Sequence, residues 1–182
     1  MISGIEELRM ANGVLEECKE ELLAKGVAFN ALIPVGCMIE VPSAAMTADL
    51  LAKECDFLSI GTNDLVQYTL AVDRGNTEMS YLYKPSHLSV IRMLKCIIRE
   101  GNLAGKPISV CGEIAADSRF IPLLLGLGVK ELSVALPSLP FVKDVVRRTN
   151  MEMAAKLADT VCHLQTHLEV EEALDKAFNA LR

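Results

Sequence analysis

Apolar residues along this chain fall into short continuous runs separated by longer stretches with helical spacing. The short runs predict four buried β-strands, near residues 35–39, 55–60, 107–111 and 131–135. Between and around them, apolar residues recur at steps of three and four, which is typical of amphipathic helices. This spacing predicts helices over 8–22, 43–53, 88–100, 117–127 and 141–148. Alternating strands and helices indicate an α/β fold with a parallel sheet.

The chain ends in a helical pair, over 150–181, with no strand between the two helices, and we expect the pair to pack outside the sheet. Three Ser or Thr residues are each followed by Glu three positions later, a spacing that predicts capping boxes at helix starts. The pairs are Ser3/Glu6, Thr149/Glu152 and Thr166/Glu169.

Composition narrows the class of protein. Apolar residues make up 51% of the 182 positions and aromatic residues only 4%, so the core is expected to be aliphatic. The net charge of −6 and the lack of a basic run argue against nucleic acid as a partner. We find no secretory signal and no apolar run long enough for membrane insertion, and therefore expect a cytoplasmic protein.

The six cysteines contain no CxxC pair, and the three histidines show no metal-ligand spacing with them. Five of the cysteines are interpreted as reduced core thiols. These are Cys18, Cys37, Cys55, Cys96 and Cys162.

Polar side chains stand where three of the predicted strands end: Glu40, Asn63-Asp64 and Cys111. Active sites lie at this end of the strands in β/α barrels and in doubly wound sheets. The chain has no GxGxxG or phosphate-loop motif, which disfavours a nucleotide-binding sheet. A β/α barrel needs eight strands, so four strands would form half of one.

The chemistry of these residues leaves alternatives open. Glu40 and Asp64 suit Mg²⁺ or Mn²⁺, although Asp64 could instead cap a helix and Glu40 could be exposed. Arg74 is well shaped for a phosphate or carboxylate, and its alternative is a surface ion pair with Asp73 or Glu78.

Cys111 precedes Gly112, whose missing side chain would let a ligand approach the thiol. Such a thiol can act as nucleophile, acid or base. The alternative is a structural cysteine in the core.

Three segments together resemble the phosphoenolpyruvate (PEP)-utilising enzymes. Asp56–Arg74 resembles the family signature, Gly36–Ala45 its metal-ligand segment and Val110–Asp117 its catalytic-cysteine segment, except that Ala116 replaces the usual Gly. Within the family, Gln67–Asn76 is most similar to the Enzyme I group of bacterial sugar phosphotransferase systems.

This resemblance implies that residues 1–182 form the carboxy-terminal half of a PEP-binding β/α (TIM) barrel, about four βα units plus terminal helices. It implies an enzyme that moves the PEP phosphoryl group to a histidine for sugar uptake (EC 2.7.3.9). Mg²⁺, or Mn²⁺, would be held by Glu40 and Asp64. Asn63, Asp64 and Arg74 would bind the substrate, and Cys111 would protonate the enolate to give pyruvate.

The resemblance also implies that the amino-terminal phosphohistidine domain, which contacts the phosphocarrier protein, is absent from this chain. We therefore expect the isolated chain to be inactive, and its open sheet to favour a homodimer or other self-association. Two alternatives are a fragment of pyruvate phosphate dikinase or PEP synthase, and a non-catalytic dimerisation module.

Overall fold

Four parallel strands form one sheet in the order β1-β2-β3-β4 in the computed structural model, which describes residues 1–181. Helices separate the strands along the chain. The predicted α/β fold is confirmed, and its four βα units are consistent with part of a TIM barrel. The strands are β1 Gly36–Ile39, β2 Phe57–Gly61, β3 Ile108–Cys111 and β4 Glu131–Leu132.

Ten α-helices accompany this sheet within residues 1–181, and a short 3₁₀ turn at Ser80–Leu82 precedes the fifth. The helices are α1 Ile5–Ala24, α2 Pro42–Met46, α3 Ala48–Glu54, α4 Thr62–Leu70, α5 Leu88–Leu103, α6 Glu113–Ala116, α7 Ile121–Gly126, α8 Leu139–Arg148, α9 Met151–His163 and α10 His167–Asn179.

The helices cover one face of the sheet. Ile39, Ile60 and Val110, neighbours in register, are fully buried on that face, where α3 packs on β1 and α5 packs on β2 and β3. The side chains of α5 that the pattern placed inward, among them Leu94, are fully buried as well. The core is therefore aliphatic, as the composition predicted.

The other face of the sheet carries small and polar residues and remains partly open among residues 1–181. Met38, Ser59, Ser109 and Glu131 lie side by side in register on this face, and none of the four is buried. Phe57 is also exposed there. The sheet is thus packed on one side only, as expected for a barrel wall seen without its opposite half.

Only one of the three predicted capping boxes forms. At the start of α10, Thr166 and Glu169 bond to each other's backbone N–H groups, as predicted. The box at Ser3 and Glu6 is wrong, because α1 begins after Gly4 and the Ser3 N–H donates to the Glu7 carboxylate instead.

The predicted box at Thr149 and Glu152 is also wrong. The Thr149 hydroxyl donates back to the Val145 carbonyl at the end of α8, which removes it from the next helix start. The Asn150 side chain takes over and accepts the first N–H groups of α9.

Other boundaries differ locally. The predicted 43–53 helix breaks at Thr47, whose φ of −117° separates α2 from α3. The helix predicted over 117–127 begins only at Ile121, and the Asp117 carboxylate accepts the backbone N–H of Arg119 before it. Cys18 is exposed rather than buried, and Leu8 is the buried residue of α1 within residues 1–181.

The terminal helices pack outside the sheet, as predicted. Helix α9 lies across α7, and α10 packs on both of them. Gly126 marks the closest approach, because a Cβ there would collide with the Ala154 carbonyl oxygen of α9. Among the described residues, no helix combines the length and apolar character needed to cross a membrane.

Two helical glycines give a matched test of this packing. We expect Gly126→Ala to lower the free energy of unfolding by about 1–3 kcal/mol, because the α7–α9 contact must open. Gly13→Ala, in α1, meets no atom within 4 Å and should raise it by up to about 1 kcal/mol through helix propensity. Urea unfolding measures both; equal effects would contradict the close contact.

Candidate functional site

The ends of three strands bring the predicted site residues to one edge of the sheet. Glu40 follows β1, Asn63 and Asp64 lie in the first turn of α4 directly after β2, and Cys111 is the last residue of β3. Gly61 pairs with Cys111 in the ladder, so the ends of β2 and β3 lie side by side. The sequence placed these residues together correctly.

Glu40 and Asp64 are direct neighbours. Burial raises the pKa of Glu40, and the negative charge of Asp64 and a hydrogen bond with it raise that pKa further. Helix α4 has no side-chain cap, so Asp64 is not there as an N-cap. Two carboxylates held this close repel each other when both are ionised, an arrangement that a cation stabilises.

Arg74 completes this charged group from the loop after α4. Its Nη2 atom lies 3.4 Å from Asp64 Oδ1, and its backbone N–H donates to the Gln67 side chain. The alternative partners Asp73 and Glu78 do not form this ion pair. The Arg74 side chain is 45% exposed, so the pair itself contributes little to stability, and the guanidinium stays within reach of a ligand.

The Cys111 thiol is half-buried and lies within hydrogen-bonding distance of two neighbours. Sγ donates to the Ile60 carbonyl oxygen at 3.4 Å, and the Ser59 hydroxyl lies 3.9 Å from the sulfur as a donor. The Cys111 carbonyl accepts the hydroxyl of Thr62 at 2.7 Å. The sulfur therefore lies between a carbonyl acceptor and a hydroxyl donor.

Hydrogen bonds hold both the side chain and the backbone carbonyl of Asn63. Its Oδ1 accepts the backbone N–H of Glu113 at 2.9 Å, and its backbone carbonyl accepts the hydroxyl of Tyr83 at 3.2 Å. Burial, then the charge of Glu113, raises the pKa of Tyr83, which keeps that hydroxyl a donor. With Oδ1 engaged, the Asn63 amide group presents its N–H donors.

The backbone conformation at position 112 requires glycine, in addition to any need for ligand access. Its φ of +90° is a conformation that other residues rarely adopt. A Cβ there would also lie 2.7 Å from Asn63 Oδ1 and closer still to the Thr62 hydroxyl. The loop after β3 can approach α4 this closely only with glycine.

Sequence reasoning missed Thr62 and Tyr83 as parts of this site. Thr62 is fully buried and joins two strand ends, and Tyr83 acts on Asn63 from twenty positions away. The only available signal was that Thr62 lies inside the Asp56–Arg74 segment, which carries the family resemblance. The His87 side chain caps α5, and the His163 side chain contacts its own helix.

The residues at these strand ends fit a magnesium site. Mg²⁺ commonly binds one or two protein carboxylates and completes its shell with water and substrate oxygens. Glu40 and Asp64 provide that pair, whereas no group of three or more His, Cys, Asp or Glu suited to a metal occurs among residues 1–181. A site of this kind needs a substrate oxygen to become complete.

Comparison with known proteins agrees with this geometry. The family profile described as "PEP-utilising enzyme, PEP-binding domain" matches residues 1–151. The chain belongs to the PEP-utilising enzymes. All five candidate site residues fall inside the matched PEP-binding domain.

Curated relatives match across nearly the whole chain. It is 46% identical over 176 residues to the phosphoenolpyruvate-protein phosphotransferase of Haemophilus influenzae, and 42% identical over 176 residues to that of Listeria monocytogenes. A third such protein, from Buchnera aphidicola, is 40% identical over 179 residues. These alignments cover 97–98% of this chain but 31% of each relative, so the chain spans about a third of their length.

Gly112→Ala tests the close contact between the β3 loop and α4. We expect it to lower the free energy of unfolding by about 2–4 kcal/mol, from backbone strain plus the clash with Thr62 and Asn63. Gly105→Ala also has a positive φ, +67°, but meets no atom within 4 Å, and should cost about 1 kcal/mol. Urea unfolding measures both variants. An equal loss of unfolding free energy in the two would contradict the close contact.

The raised pKa of Glu40 predicts a pH dependence of stability. Because the folded pKa lies above the ordinary value of 4.5, its contribution is complete below pH 4.5 and is lost as pH rises through the folded pKa. Relative to wild type, Glu40→Gln should therefore become more stable as pH rises from 4 to 8.

Glu54→Gln is the control of opposite sign, because the hydrogen bond and charge of Arg9 lower the pKa of Glu54. That variant should lose stability relative to wild type over the same range. Unfolding free energies measured at several pH values check both trends, and parallel curves for Glu40→Gln and wild type would refute the assignment.

Proposed function

We propose that this chain is the PEP-binding part of a phosphoenolpyruvate-protein phosphotransferase, which moves the phosphoryl group of PEP to a histidine and thereby serves sugar uptake in the cytoplasm. The observation that carries the proposal is the joint position of Glu40, Asn63, Asp64, Arg74 and Cys111 at adjoining strand ends. The names and identities of the relatives favour this reaction over those of the dikinase and synthase branches.

Glu40 and Asp64 are the proposed ligands of Mg²⁺, with Mn²⁺ as the alternative. When bound, the metal would supply positive charge for the carboxylate and phosphate oxygens of PEP. The pair suits this role because the two carboxylates already face each other, and the second raises the pKa of the first.

Asn63 and Arg74 are the proposed phosphate ligands. The amide of Asn63 is oriented by the backbone N–H of Glu113, so its own N–H groups can donate to a phosphoryl oxygen. Arg74 pairs with Asp64, which would also hold the metal, and its guanidinium can extend toward the phosphate. Phosphoryl transfer depends mainly on such positioning and charge neutralisation, because the protein itself does little covalent chemistry.

Cys111 is the proposed acid. Departure of the phosphoryl group leaves the enolate of pyruvate, whose methylene carbon accepts the thiol proton. A C–H bond forms, the S–H bond breaks, and a thiolate remains. The Ser59 hydroxyl, 3.9 Å from the sulfur, is positioned to stabilise that thiolate until solvent reprotonates it.

The phosphoryl acceptor is proposed to lie outside these residues. The side chains of His87 and His163 bond within their own helix regions, and His167 is the first residue of α10. We infer that a further domain supplies the acceptor histidine and the contact with the phosphocarrier protein. The isolated chain is accordingly proposed to be inactive in transfer.

Manganese binding tests the site without requiring turnover. Water proton relaxation should show saturable Mn²⁺ binding to the wild-type chain, weakened about tenfold or more by Asp64→Asn and by Glu40→Gln. The control Glu54→Gln removes a carboxylate paired with Arg9 and should leave the affinity unchanged.

Calorimetry with PEP and Mg²⁺ extends this test to the substrate. We expect a dissociation constant of about 1 mM or weaker, because the chain holds only part of the phosphate-binding groups. If neither Asp64→Asn nor Glu40→Gln changed the affinity for Mn²⁺, the metal assignment would be overturned. Low-micromolar PEP binding by a monomer would overturn the view that the site is incomplete.

A further inference from the structure

Two serine hydroxyls lie behind the Cys111 thiol on the face of the sheet opposite the helices. Ser59 in β2 and Ser109 in β3 are partners in the ladder, and their hydroxyl oxygens lie 3.2 Å apart. The Ser59 oxygen is 3.9 Å from the Cys111 sulfur. Cys111 follows Ser109 by two positions in the same strand, so their side chains project from the same face. We call Ser109 and Ser59, ending at this sulfur, the hydroxyl row.

The direction of the hydrogen bonds in the hydroxyl row follows from the number of protons. A serine hydroxyl has one proton to donate, while its oxygen can also accept. Because Ser59 donates its proton to the sulfur, Ser109 must be the donor in the bond between the two serines. The thiol proton of Cys111 points to the Ile60 carbonyl oxygen, which leaves the sulfur free to accept. The row is therefore directed toward the sulfur.

The charged groups near the strand ends give such neutral donors a purpose. Four carboxylates stand on elements that adjoin β3 or on the residues that follow them: Glu40 after β1, Asp64 in α4, Glu113 in α6 and Glu131 in β4. A thiolate at Cys111 would add a negative charge to this group, and like charges disfavour each other. The guanidinium of Arg74 is paired with one of these carboxylates. Hydroxyl donors stabilise a thiolate without adding a cation that would compete for the phosphate.

We propose that Ser59 and Ser109 are positioning residues for proton donation by Cys111. The S–H bond breaks, its proton goes to the methylene carbon of the enolate, and the electron pair stays on sulfur. Both serines keep their own protons. Ser59 donates to the developing thiolate, while Ser109 keeps the Ser59 hydroxyl turned toward it.

The geometry suits a bond that strengthens during the reaction. Catalytic hydrogen bonds are often long before the substrate binds and tighten in the reacting complex, which agrees with the 3.9 Å between Ser59 and the sulfur. A hydrogen bond to a charged group is about twice as strong as one between neutral groups, so the hydroxyl row favours the thiolate over the thiol. This inference rests on the proposed role of Cys111 as the acid, and adds the groups that set how readily its proton leaves.

Alkylation of Cys111 by iodoacetamide tests the proposal without turnover, because the thiolate is the form that reacts. Mass spectrometry of the digested protein separates Cys111 from the other five cysteines, and exposed Cys18 is the internal standard. At pH 7.5, Ser59→Ala should slow the alkylation of Cys111 about tenfold, the effect expected for a hydrogen bond to a charged group. The rate at Cys18 should not change.

Further variants distinguish the hydroxyl row from a single hydroxyl. Ser109→Ala should slow the alkylation about threefold, because Ser59 loses the donor that orients it. The double variant Ser59→Ala/Ser109→Ala should be no slower than Ser59→Ala, since Ser109 acts through Ser59. Ser59→Thr keeps a hydroxyl and should stay within about twofold of wild type. The control Thr160→Ala removes a hydroxyl from the outer helix α9 and should have no effect.

The pH profile separates this role from a purely structural one. Loss of the donor should move the alkylation profile of Cys111 to higher pH and leave its high-pH plateau unchanged, because the thiol is then fully ionised. A change in packing or access would lower the rate by the same factor at every pH. The buried thiols of Cys37 and Cys55 report on folding, since they stay protected while the core is intact. If Ser59→Ala loses this protection, Ser109→Ala decides the test.

Three results would overturn the proposal. Equal rates at Cys111 in wild type and in both single alanine variants would show that the serines do not act on the thiol. A loss of the same size at every pH would show a structural effect. A double variant slowed by the product of the two single effects would show that the serines act separately. Each of these can occur while Mn²⁺ binding still depends on Glu40 and Asp64, so the hydroxyl row can fail while the proposed metal site stands.

Discussion

The hydrogen bond from the Thr62 hydroxyl to the Cys111 carbonyl is the contact on which the site depends. Thr62 is fully buried, so its hydroxyl must find a partner inside the protein, and the end of the adjoining strand supplies it. This bond fixes the first turn of α4 against β3. Asn63 and Asp64 are the next two residues of the chain. Gly112 lets the loop after β3 approach closely enough for the Glu113 N–H to reach Asn63.

The positions of the site residues could be predicted because they follow from local sequence. Short apolar runs that end in Glu40, Asn63-Asp64 and Cys111 indicate buried strands with polar ends, and parallel strands bring those ends to one edge. The bonds that hold the residues could not be predicted. Tyr83 reaches Asn63 across twenty positions and Thr62 reaches Cys111 across forty-nine, and no local periodicity encodes such pairings.

Some of the predicted helix and strand boundaries were wrong for a related reason. A contact made by one residue decides where an element begins or ends. The Thr149 hydroxyl bonds backward to α8, so the next residue caps α9. The first helix begins one position later than its capping pattern indicated, because Gly4 rather than Ser3 precedes it. β4 stops early because a strand needs neighbours as well as sequence. The hydrophobic pattern determines which helices and strands form, while single hydrogen bonds determine where they end.

Strand direction links the open sheet to the charged site. All four strands are parallel, so the Glu40–Asp64 pair stands at the same rim as Cys111. The Arg74 side chain is 45% exposed, so water partly screens the charges of this group along the open face of the sheet. Because charge interactions strengthen where water is excluded, closing the sheet would also strengthen the site's attraction for a metal and a phosphate.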